Sequence, residues 1–582
     1  MALPAQPVSE RDHRRLVVLL HAFRHSPDRL SQVKLVVAGC LPAAHIVTPA
    51  LPLSGRSFAH LDDVANDVVS LIDQQVQHRA DQRWAEFEEI ILVGHSTGSM
   101  ISRKAYVIAC GETSEAPFTH IDRFHPRELL PERPWASRVT RIVQLAGMNG
   151  GWSISHHMGT RRWLELSAGR IIADLAHSAT GRRLVIDHIR RGAPFLTGLR
   201  LQWLAMQKQV LRKKRSPALV VQLLGTVDDL VAPDDNLDLV TGSAFLYLDV
   251  PRTGHVNVVE MNDPDAGEAR RRALVLALTG TEAAISKESV VPADAAGLGR
   301  ENPNITDVVF VIHGIRDTGF WTHKIARRVQ AAARSHERER REFATETSTY
   351  GYFPMLSFLL PSRRREKVAW LADRYVRARS AYPNATRFSY LGHSNGTYLL
   401  TKALEENPAC RFDHVVFAGS VVRTDYDWVR ARNRGQVKAV LNYVATFDWI
   451  VAAFPGALER FDLQDLGGAG HSGFAQATEP QGAEFIVEKR FVTGQHSAAL
   501  AESHWDEISA FICDGKVPSE MSTGAQHWFA RDLGDHPSAL WMVILAVVAG
   551  LALLITWIPS VPLRTLALIA FAWIVAKLLT RV

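Results

Sequence analysis

Short runs of four to seven aliphatic residues, many of them β-branched, recur along the chain, each bounded by glycine or aspartate. Such runs are typical of strands that are buried on both faces of a sheet, and Leu16–Leu20 is one example. Between them lie stretches with apolar residues at helical spacing, as in Phe58–Val76 and Trp370–Arg379. Strands that alternate with helices predict an α/β fold, with a mostly parallel central sheet and helices on both faces.

This pattern occurs twice, because four segments of the first half have partners in the same order in the second half. The pairs are Arg14–Phe23 with Thr306–Ile315, Glu89–Ser99 with Phe388–Thr397, Leu219–Val231 with Ala439–Val451, and Pro251–Val258 with Phe491–Leu500. The repeat predicts two tandem domains of one architecture, at residues 1–280 and 305–514. Residues 281–304 and 515–538 are interpreted as linkers, the first for its Ala, Gly, Pro and charged residues.

The first domain has a longer segment than the second between the matched regions, at about residues 148–210. Its helical pattern predicts a lid. Basic pairs such as Arg161-Arg162 fit a solvated helical face, and contact with anionic lipid head groups is the alternative.

The end of the chain carries two apolar runs. Ala539–Ile558 has about 20 apolar residues without a charge, the length that crosses a bilayer, and a shorter run follows at Leu566–Ala576. Prolines between the runs mark a turn, so residues 539–580 predict a transmembrane helical hairpin, with a buried core helix as the alternative. Lys577 and Arg581 favour a cytoplasmic C-terminus, and we expect the two large domains in the cytoplasm.

Composition narrows the class of protein. With 47% apolar and 22% charged residues, the chain can bury a core, and a net charge of +6 over 582 residues gives no reason to expect nucleic acid as a partner. The four cysteines are scattered without a CxxC pair, which predicts neither disulfide framework nor metal site and fits a reducing compartment.

Two pentapeptides carry the candidate chemistry: Gly94-His95-Ser96-Thr97-Gly98 and Gly392-His393-Ser394-Asn395-Gly396. Each follows an apolar strand and precedes a helix. In a sharp strand-to-helix turn the serine is lifted above the sheet edge, and the flanking glycines avoid a clash. Ser96 and Ser394 are therefore the candidate nucleophiles.

A serine hydroxyl needs a base to remove its proton, and the base needs a carboxylate to orient it. In the first domain, Asp228 follows an apolar strand, with Asp229 as its rival, and His255 follows the next strand. All three candidate groups fall at strand ends, where sites form in an open α/β sheet.

The second domain offers Asp448 as the acid and three histidines as the base. His496 is preferred because it follows a strand-like run and precedes a helix, as His255 does. His471 lies in a glycine-rich loop and is expected to line the pocket. His504 is expected to lie within the following helix and to be structural.

Each site also needs two donors for a developing oxyanion. The first is the backbone N–H after the serine, at Thr97 and Asn395. The second comes from the loop after the first strand, for which we choose Phe23 and Ile315. His95 and His393 are interpreted as packing residues under the turn. His21 and His313 are expected to position the oxyanion loop.

The two GHSxG motifs, the ordered acid and base, and the His-Gly type of loop resemble the lipase- and esterase-like branch of the α/β-hydrolase superfamily. The resemblance covers about residues 14–280 and 305–513. It implies a sheet of about eight strands in each domain, an acyl-enzyme intermediate and no cofactor. His21-Ala22-Phe23 departs from the usual His-Gly, and Phe447-Asp448-Trp449 places unusually bulky neighbours at the acid.

The sequence therefore predicts a membrane-anchored serine esterase or lipase that acts on acyl esters, thioesters or lipids. Two alternatives stay open: an acyltransferase that uses the same residues, and a membrane scaffold in which one or both domains are inactive. The sequence does not indicate the oligomeric state.

Overall fold

The structure is a computed structural model that describes residues 10–152, 180–228, 245–290, 301–334 and 341–581, apart from single residues 316, 318, 461, 463, 523 and 536. The chain forms two compact units. Met1–Thr119 and Glu128–Arg300 make up the first, and His120–Arg127 and Glu301–Val582 make up the second.

The first unit is built on a parallel sheet with the strand order β2-β1-β3-β4-β5-β6. The strands are β1 Arg15–Leu20, β2 Ala44–Val47, β3 Glu89–His95, β4 Val139–Leu145, β5 Leu219–Gly225 and β6 Phe245–Val250. The α-helices described in this unit are Ser31–Cys40, Leu61–Asp81, Thr97–Ala109, Val185–His188, Pro194–Arg212, Gly267–Thr279 and Glu282–Glu288.

Both faces of this sheet are buried. Along β1, Leu16, Val18 and Leu20 face one apolar cluster, whereas Val17 and Leu19 face another. The alternation follows from the two-residue period of a strand, and it explains why the strand consists of a continuous apolar run.

The second unit repeats this plan with the order β12-β11-β10-β9-β7-β8, again with parallel neighbours. The strands are β7 Asp307–Ile312, β8 Phe343–Glu346, β9 Arg387–His393, β10 Phe412–Ala418, β11 Val437–Ala445 and β12 Ile486–Val492. The α-helices described before the C-terminal pair are Thr322–Arg334, Met355–Leu359, Pro361–Ala381, Asn395–Glu406, Trp428–Asn433, Trp449–Ala453, Pro455–Arg460, Ala469–Ser472, Pro480–Ala483, Trp505–Asp514 and Trp528–Asp535.

Read in opposite directions, the two strand orders are the same, so β3 and β9 occupy equivalent central positions. The predicted parallel sheets are confirmed. The strand number implied by the resemblance is wrong for the described part of the chain, where each sheet has six strands and not eight.

The segments predicted as linkers and lid contain some regular structure. Helix Glu282–Glu288 lies in the first predicted linker, and helix Trp528–Asp535 lies in the second. Helices Val185–His188 and Pro194–Arg212 belong to the predicted lid, of which residues 153–179 lie outside the described residues.

Two further helices, Pro537–Thr556 and Val561–Arg581, cover the apolar runs at the end of the chain. Within the described part of the chain, no helix has the length and apolar character needed to cross a membrane. The predicted transmembrane hairpin is therefore not supported.

Candidate active sites

Ser96 lies at the turn between β3 and helix Thr97–Ala109, in the first unit. Its backbone is strained, with φ of 52° and ψ of −115°, and its N–H donates to the Leu145 carbonyl oxygen on β4 at 3.0 Å. A Cβ atom on Gly98 would lie 2.2 Å from the carbonyl oxygen of Leu20, so only glycine lets the helix approach β1 this closely. The strained turn is the feature that exposes a nucleophile at the end of a strand.

Ser96, His255 and Asp228 form one hydrogen-bonded chain. His255 Nε2 lies 2.7 Å from Ser96 Oγ, and His255 Nδ1 lies 3.0 Å from Asp228 Oδ2. Because the carboxylate accepts, Nδ1 carries the proton and Nε2 accepts from the serine hydroxyl. The side chains of His255 and Asp228 are only 7% and 4% exposed, so water competes little with these bonds.

Backbone contacts hold the acid and base loops together. Val227, which precedes the acid, donates its N–H to the carbonyl oxygen of Thr253 at 3.0 Å. Gly254 donates its N–H to Asn257 Oδ1 at 2.7 Å. The first bond joins the loop after β5 to the loop after β6, and the second holds the shape of the loop that carries His255.

The sequence analysis interpreted His95 as a packing residue under the turn, but the structure also gives it a hydrogen bond. Its Nε2 donates to the backbone carbonyl oxygen of His255 at 2.9 Å. Burial, and then the nearby His255, lowers the pKa of His95 to about 3, so this ring stays neutral at physiological pH. The residue next to the nucleophile therefore anchors the loop that carries the base.

Met148 is a contact that no sequence motif indicated. Its Sδ lies 3.2 Å from Ser96 Oγ, on the segment after β4. A thioether is a weak acceptor, so the imidazole of His255 is the stronger partner for the serine proton.

In the second unit, Ser394 lies at the turn between β9 and helix Asn395–Glu406. It has φ of 53° and ψ of −122°, and its N–H donates to the Ala418 carbonyl oxygen on β10 at 3.0 Å. These values repeat the geometry of Ser96 and its bond to Leu145.

Asp448 and His496 form the buried acid–base pair of this unit. His496 Nδ1 lies 2.9 Å from Asp448 Oδ2, and Asp448 Oδ1 accepts from the Val451 N–H at 3.1 Å. Burial opposes a charge on His496, but the charge of Asp448 and its hydrogen bond outweigh burial and raise the pKa of His496 above its ordinary value. Among the described hydrogen bonds, none joins His496 to Ser394, in contrast to the first site.

The surroundings of this pair repeat those of the first site. Phe447, which precedes the acid, donates its N–H to the carbonyl oxygen of Gly494 at 3.0 Å, as Val227 does to Thr253. His393 Nε2 lies 3.3 Å from Ser497 Oγ, and its ring centroid lies 5.0 Å from that of His496. Burial, followed by the proximity of His496, lowers the pKa of His393 to about 3.

His471 and His504 have hydrogen-bond partners of their own. His471 contacts Gln526, whose Nε2 lies 3.2 Å from His471 Nε2. His504 pairs with Glu507 at 2.8 Å and ends the short 3-10 helix Glu502–His504, directly before helix Trp505–Asp514. Asp229 lies outside the described residues.

Of the four predicted oxyanion donors, Thr97 and Asn395 directly follow the two serines, and the loop that carries Ile315 approaches Ser394 at Gly314. Thr97 and Asn395 begin the helices after the serines and are fully buried, whereas Phe23 and Ile315 follow β1 and β7 and are half-buried. In the hydrogen bonds of the described residues, none of these four N–H groups has an acceptor. N–H groups without an acceptor are suited to a developing negative charge.

The loops after β1 and β7 differ at the residue that follows the histidine, which is Ala22 in the first unit and Gly314 in the second. In the second unit, a Cβ on Gly314 would lie 2.6 Å from Ser394 Cβ, so the loop touches the nucleophile and tolerates only glycine. The first unit has Ala22 at this position, buried, and its Ser96–His255 hydrogen bond is formed. Alanine in the first loop is therefore compatible with an assembled site.

Over the described ranges, no group of three His, Cys, Asp or Glu side chains is placed to hold a metal ion.

Residues 17–269 match the Alpha/beta hydrolase family. The matched segment contains Ser96, Asp228 and His255, and it ends before the second unit resumes at Glu301. No curated protein matches the chain.

Several solved structures resemble part of the chain. An extracellular alpha/beta-hydrolase from a Paenibacillus species is 12% identical, with 45% of this chain and 98% of that chain covered and a TM-score of 0.27. Esterase 2 of Thermogutta terrifontis, phosphonylated by sarin, is 14% identical, with 47% and 85% covered and a TM-score of 0.30. Phospholipase PlaB from Legionella pneumophila is 11% identical, with 47% and 61% covered and a TM-score of 0.30.

Proposed function

We propose that the protein is a serine hydrolase that cleaves carboxylic esters or thioesters through an acyl-enzyme intermediate. The observation that carries this proposal is the hydrogen-bonded chain from Ser96 through His255 to Asp228, at 2.7 and 3.0 Å. A serine hydroxyl within hydrogen-bonding distance of an imidazole nitrogen, on a ring that a carboxylate orients, is arranged for attack on a carbonyl carbon.

In the proposed reaction, Ser96 Oγ bonds to the carbonyl carbon while its proton moves to His255 Nε2. The carbonyl electron pair becomes an oxyanion, which the N–H groups of Phe23 and Thr97 stabilise. Collapse of this intermediate breaks the bond to the leaving alcohol or thiol, which takes the proton from His255. Water then attacks the acyl-enzyme by the same steps, and the acid is released.

The second unit is proposed to use Ser394, His496 and Asp448 in the same roles, with Ile315 and Asn395 as oxyanion donors. The Asp448–His496 pair and the strained turn at Ser394 support this assignment. Transfer of the serine proton requires a hydrogen bond between Ser394 and His496, which we expect to form when substrate excludes water from the site.

A lipid or another long-chain acyl ester is the proposed substrate class. Helices Pro537–Thr556 and Val561–Arg581 expose large apolar side chains, among them Leu545, Leu553, Leu554, Leu563 and Trp573. Exposed apolar surface of this kind suits contact with an aggregated apolar substrate. If the purified protein cleaves short soluble esters well and dispersed lipids not at all, this substrate class is wrong.

Labelling with a fluorophosphonate probe tests the two nucleophiles. We compare the wild-type chain, Ser96→Ala, Ser394→Ala and the double variant, and we read the labelled peptide by mass spectrometry. Two working sites predict partial labelling of each single variant and none of the double variant. If one single variant abolishes labelling, only that unit is a hydrolase, and an unlabelled wild-type chain would overturn the proposal.

A further inference from the structure

Tyr350 lies beside the nucleophile of the second unit. The aromatic ring stacks on His313, with centroids 4.4 Å apart and an interplanar angle of 23°. The residue is 7% exposed and lies in the segment between β8 and helix Met355–Leu359, far in sequence from the serine motif.

The Tyr350 hydroxyl contacts both chain segments that carry the proposed oxyanion donors. Its oxygen lies 2.9 Å from the His313 carbonyl oxygen and 2.8 Å from the Gly314 carbonyl oxygen, in the loop that continues to Ile315. It also accepts a hydrogen bond from Asn395 Nδ2 at 3.2 Å. One hydroxyl thus connects the loop after β7 to the first residue of the helix after Ser394.

The chemistry of the phenol suits this position. Burial, and to a smaller extent the charge of Asp317, raises the pKa of Tyr350, so the group keeps its proton and remains a donor. Lys367 Nζ donates to the Tyr350 carbonyl oxygen at 3.0 Å and holds the backbone of this residue in place. The donor is therefore both protonated and fixed.

The first unit lacks this arrangement among its described contacts. There, the ring of His21 accepts from the Leu51 N–H at 2.9 Å, and Thr97 stands in the place of Asn395. In the second unit, the ring of His313 instead contacts Thr349 Oγ1 at 2.6 Å, next to Tyr350.

We propose that Tyr350 is a positioning residue that sets the distance between the two oxyanion donors, Ile315 N–H and Asn395 N–H. This inference rests on the proposed function of the second unit. Without the hydroxyl, the His313–Gly314 loop keeps its fold but loses the hydrogen bond that holds it at a fixed distance from helix Asn395–Glu406. The oxyanion is then stabilised less well, whereas binding of the ester itself is unchanged.

The test uses the full chain with Ser96→Ala, so that only Ser394 reacts. Tyr350→Phe is compared with Tyr375→Phe, which removes another buried hydroxyl that contacts two carbonyl oxygens, of Ala409 and Arg411, and accepts from the Arg411 N–H. We expect Tyr350→Phe to lower kcat by about 10- to 100-fold with little change in KM, and to slow fluorophosphonate labelling in parallel. Tyr375→Phe should leave both rates unchanged.

Each outcome has one meaning. If Ser394 in the Ser96→Ala chain does not react with the probe, the proposed function of the second unit fails. If Ser394 reacts and Tyr350→Phe keeps the parent rate, or raises KM alone, the role of Tyr350 is wrong. If Tyr350→Phe melts at a much lower temperature than Tyr375→Phe, Asn395→Ala decides, because it removes only the amide bond to the hydroxyl. A slower labelling rate in that variant supports the proposal, and an unchanged rate overturns it.

Discussion

His95 Nε2 donates a hydrogen bond to the backbone carbonyl oxygen of His255, so the residue before the nucleophile holds the loop of the base. The bond joins two positions 160 residues apart in sequence. It restrains the backbone of His255 and not its ring, which leaves the imidazole free to exchange protons with Ser96.

Replacing His95 tests this restraint. His95→Ala removes the donor, and we expect kcat of the first site to fall by between about 10- and 100-fold, with KM nearly unchanged, because the base is displaced. His95→Gln keeps an N–H donor near the same place and should recover most of the rate. Both variants are assayed with Ser394→Ala, and equal rates for alanine and glutamine would contradict the restraint.

Asp228→Asn should affect the first site far more than the second. The amide is neutral and can turn its N–H group toward His255 Nδ1, which favours the tautomer with the proton on Nε2 and removes the charge that stabilises the imidazolium. We expect kcat at Ser96 to fall by about 10⁴-fold, measured as ester hydrolysis with Ser394→Ala. In the chain with both serines intact, probe labelling of Ser394 serves as the control and should not change.

As the pH is lowered, we expect the activity of the second site to begin falling at a pH above 6.5. Neutral His496 accepts the serine proton, and Asp448 raises the pKa of His496 above the ordinary value of 6.5, so protonation sets in at higher pH. In Asp448→Asn, burial alone remains and lowers this pKa, so the acid limb should move below 6.5 while the plateau falls. The labelling rate of Ser394 against pH, in the Ser96→Ala chain, measures both effects.

The control for this titration is Asp425→Asn, which removes a carboxylate that is 62% exposed. Its acid limb should stay in place. An Asp448→Asn profile that differs from the parent profile in height alone would show that Asp448 does not govern the protonation of His496.

Gly314→Ala should inactivate the second site without unfolding the unit. The new Cβ would lie 2.6 Å from Ser394 Cβ, so loop or nucleophile must move, and we expect the labelling rate of Ser394 to fall by about 100-fold or more. Gly524→Ala is the matched control, since its Cβ would lie 3.4 Å from the Phe491 carbonyl oxygen. A Gly314→Ala chain that labels at the parent rate would show that the loop adapts to the added Cβ.

Much of each site could be predicted because the chemistry follows the order of elements along the chain. A serine between two glycines, after an apolar run, must take the strained turn seen at Ser96 and Ser394. Parallel strands end at one edge of a sheet, so residues after successive strands, such as Asp228 and His255, meet there. The same reasoning favoured His496 over His471 as the base, and in the structure His496 forms a hydrogen bond with Asp448.

Contacts that depend on the direction of a side chain could not be predicted from the order of elements along the chain. Met148 and Tyr350 belong to segments without a motif, and their approach to Ser96 and to the Gly314 loop follows from packing between distant elements. The bond from His95 was missed because a buried histidine in a turn is more often a packing residue. The two apolar runs near the C-terminus form helices, as predicted. The membrane span inferred from their length is not supported for the described residues.

The hydrogen bond between Ser96 and His255 closes a loop of 159 residues in sequence. A contact this remote forms only after most of the unit has collapsed, because the entropy cost of closing the loop must first be offset by the contacts within it. An unfolded or partly synthesised chain therefore contains the reactive serine without its base. The fraction of Ser96 that reacts with a probe consequently counts the molecules whose first unit has completed folding, and active-site titration during refolding follows that event directly.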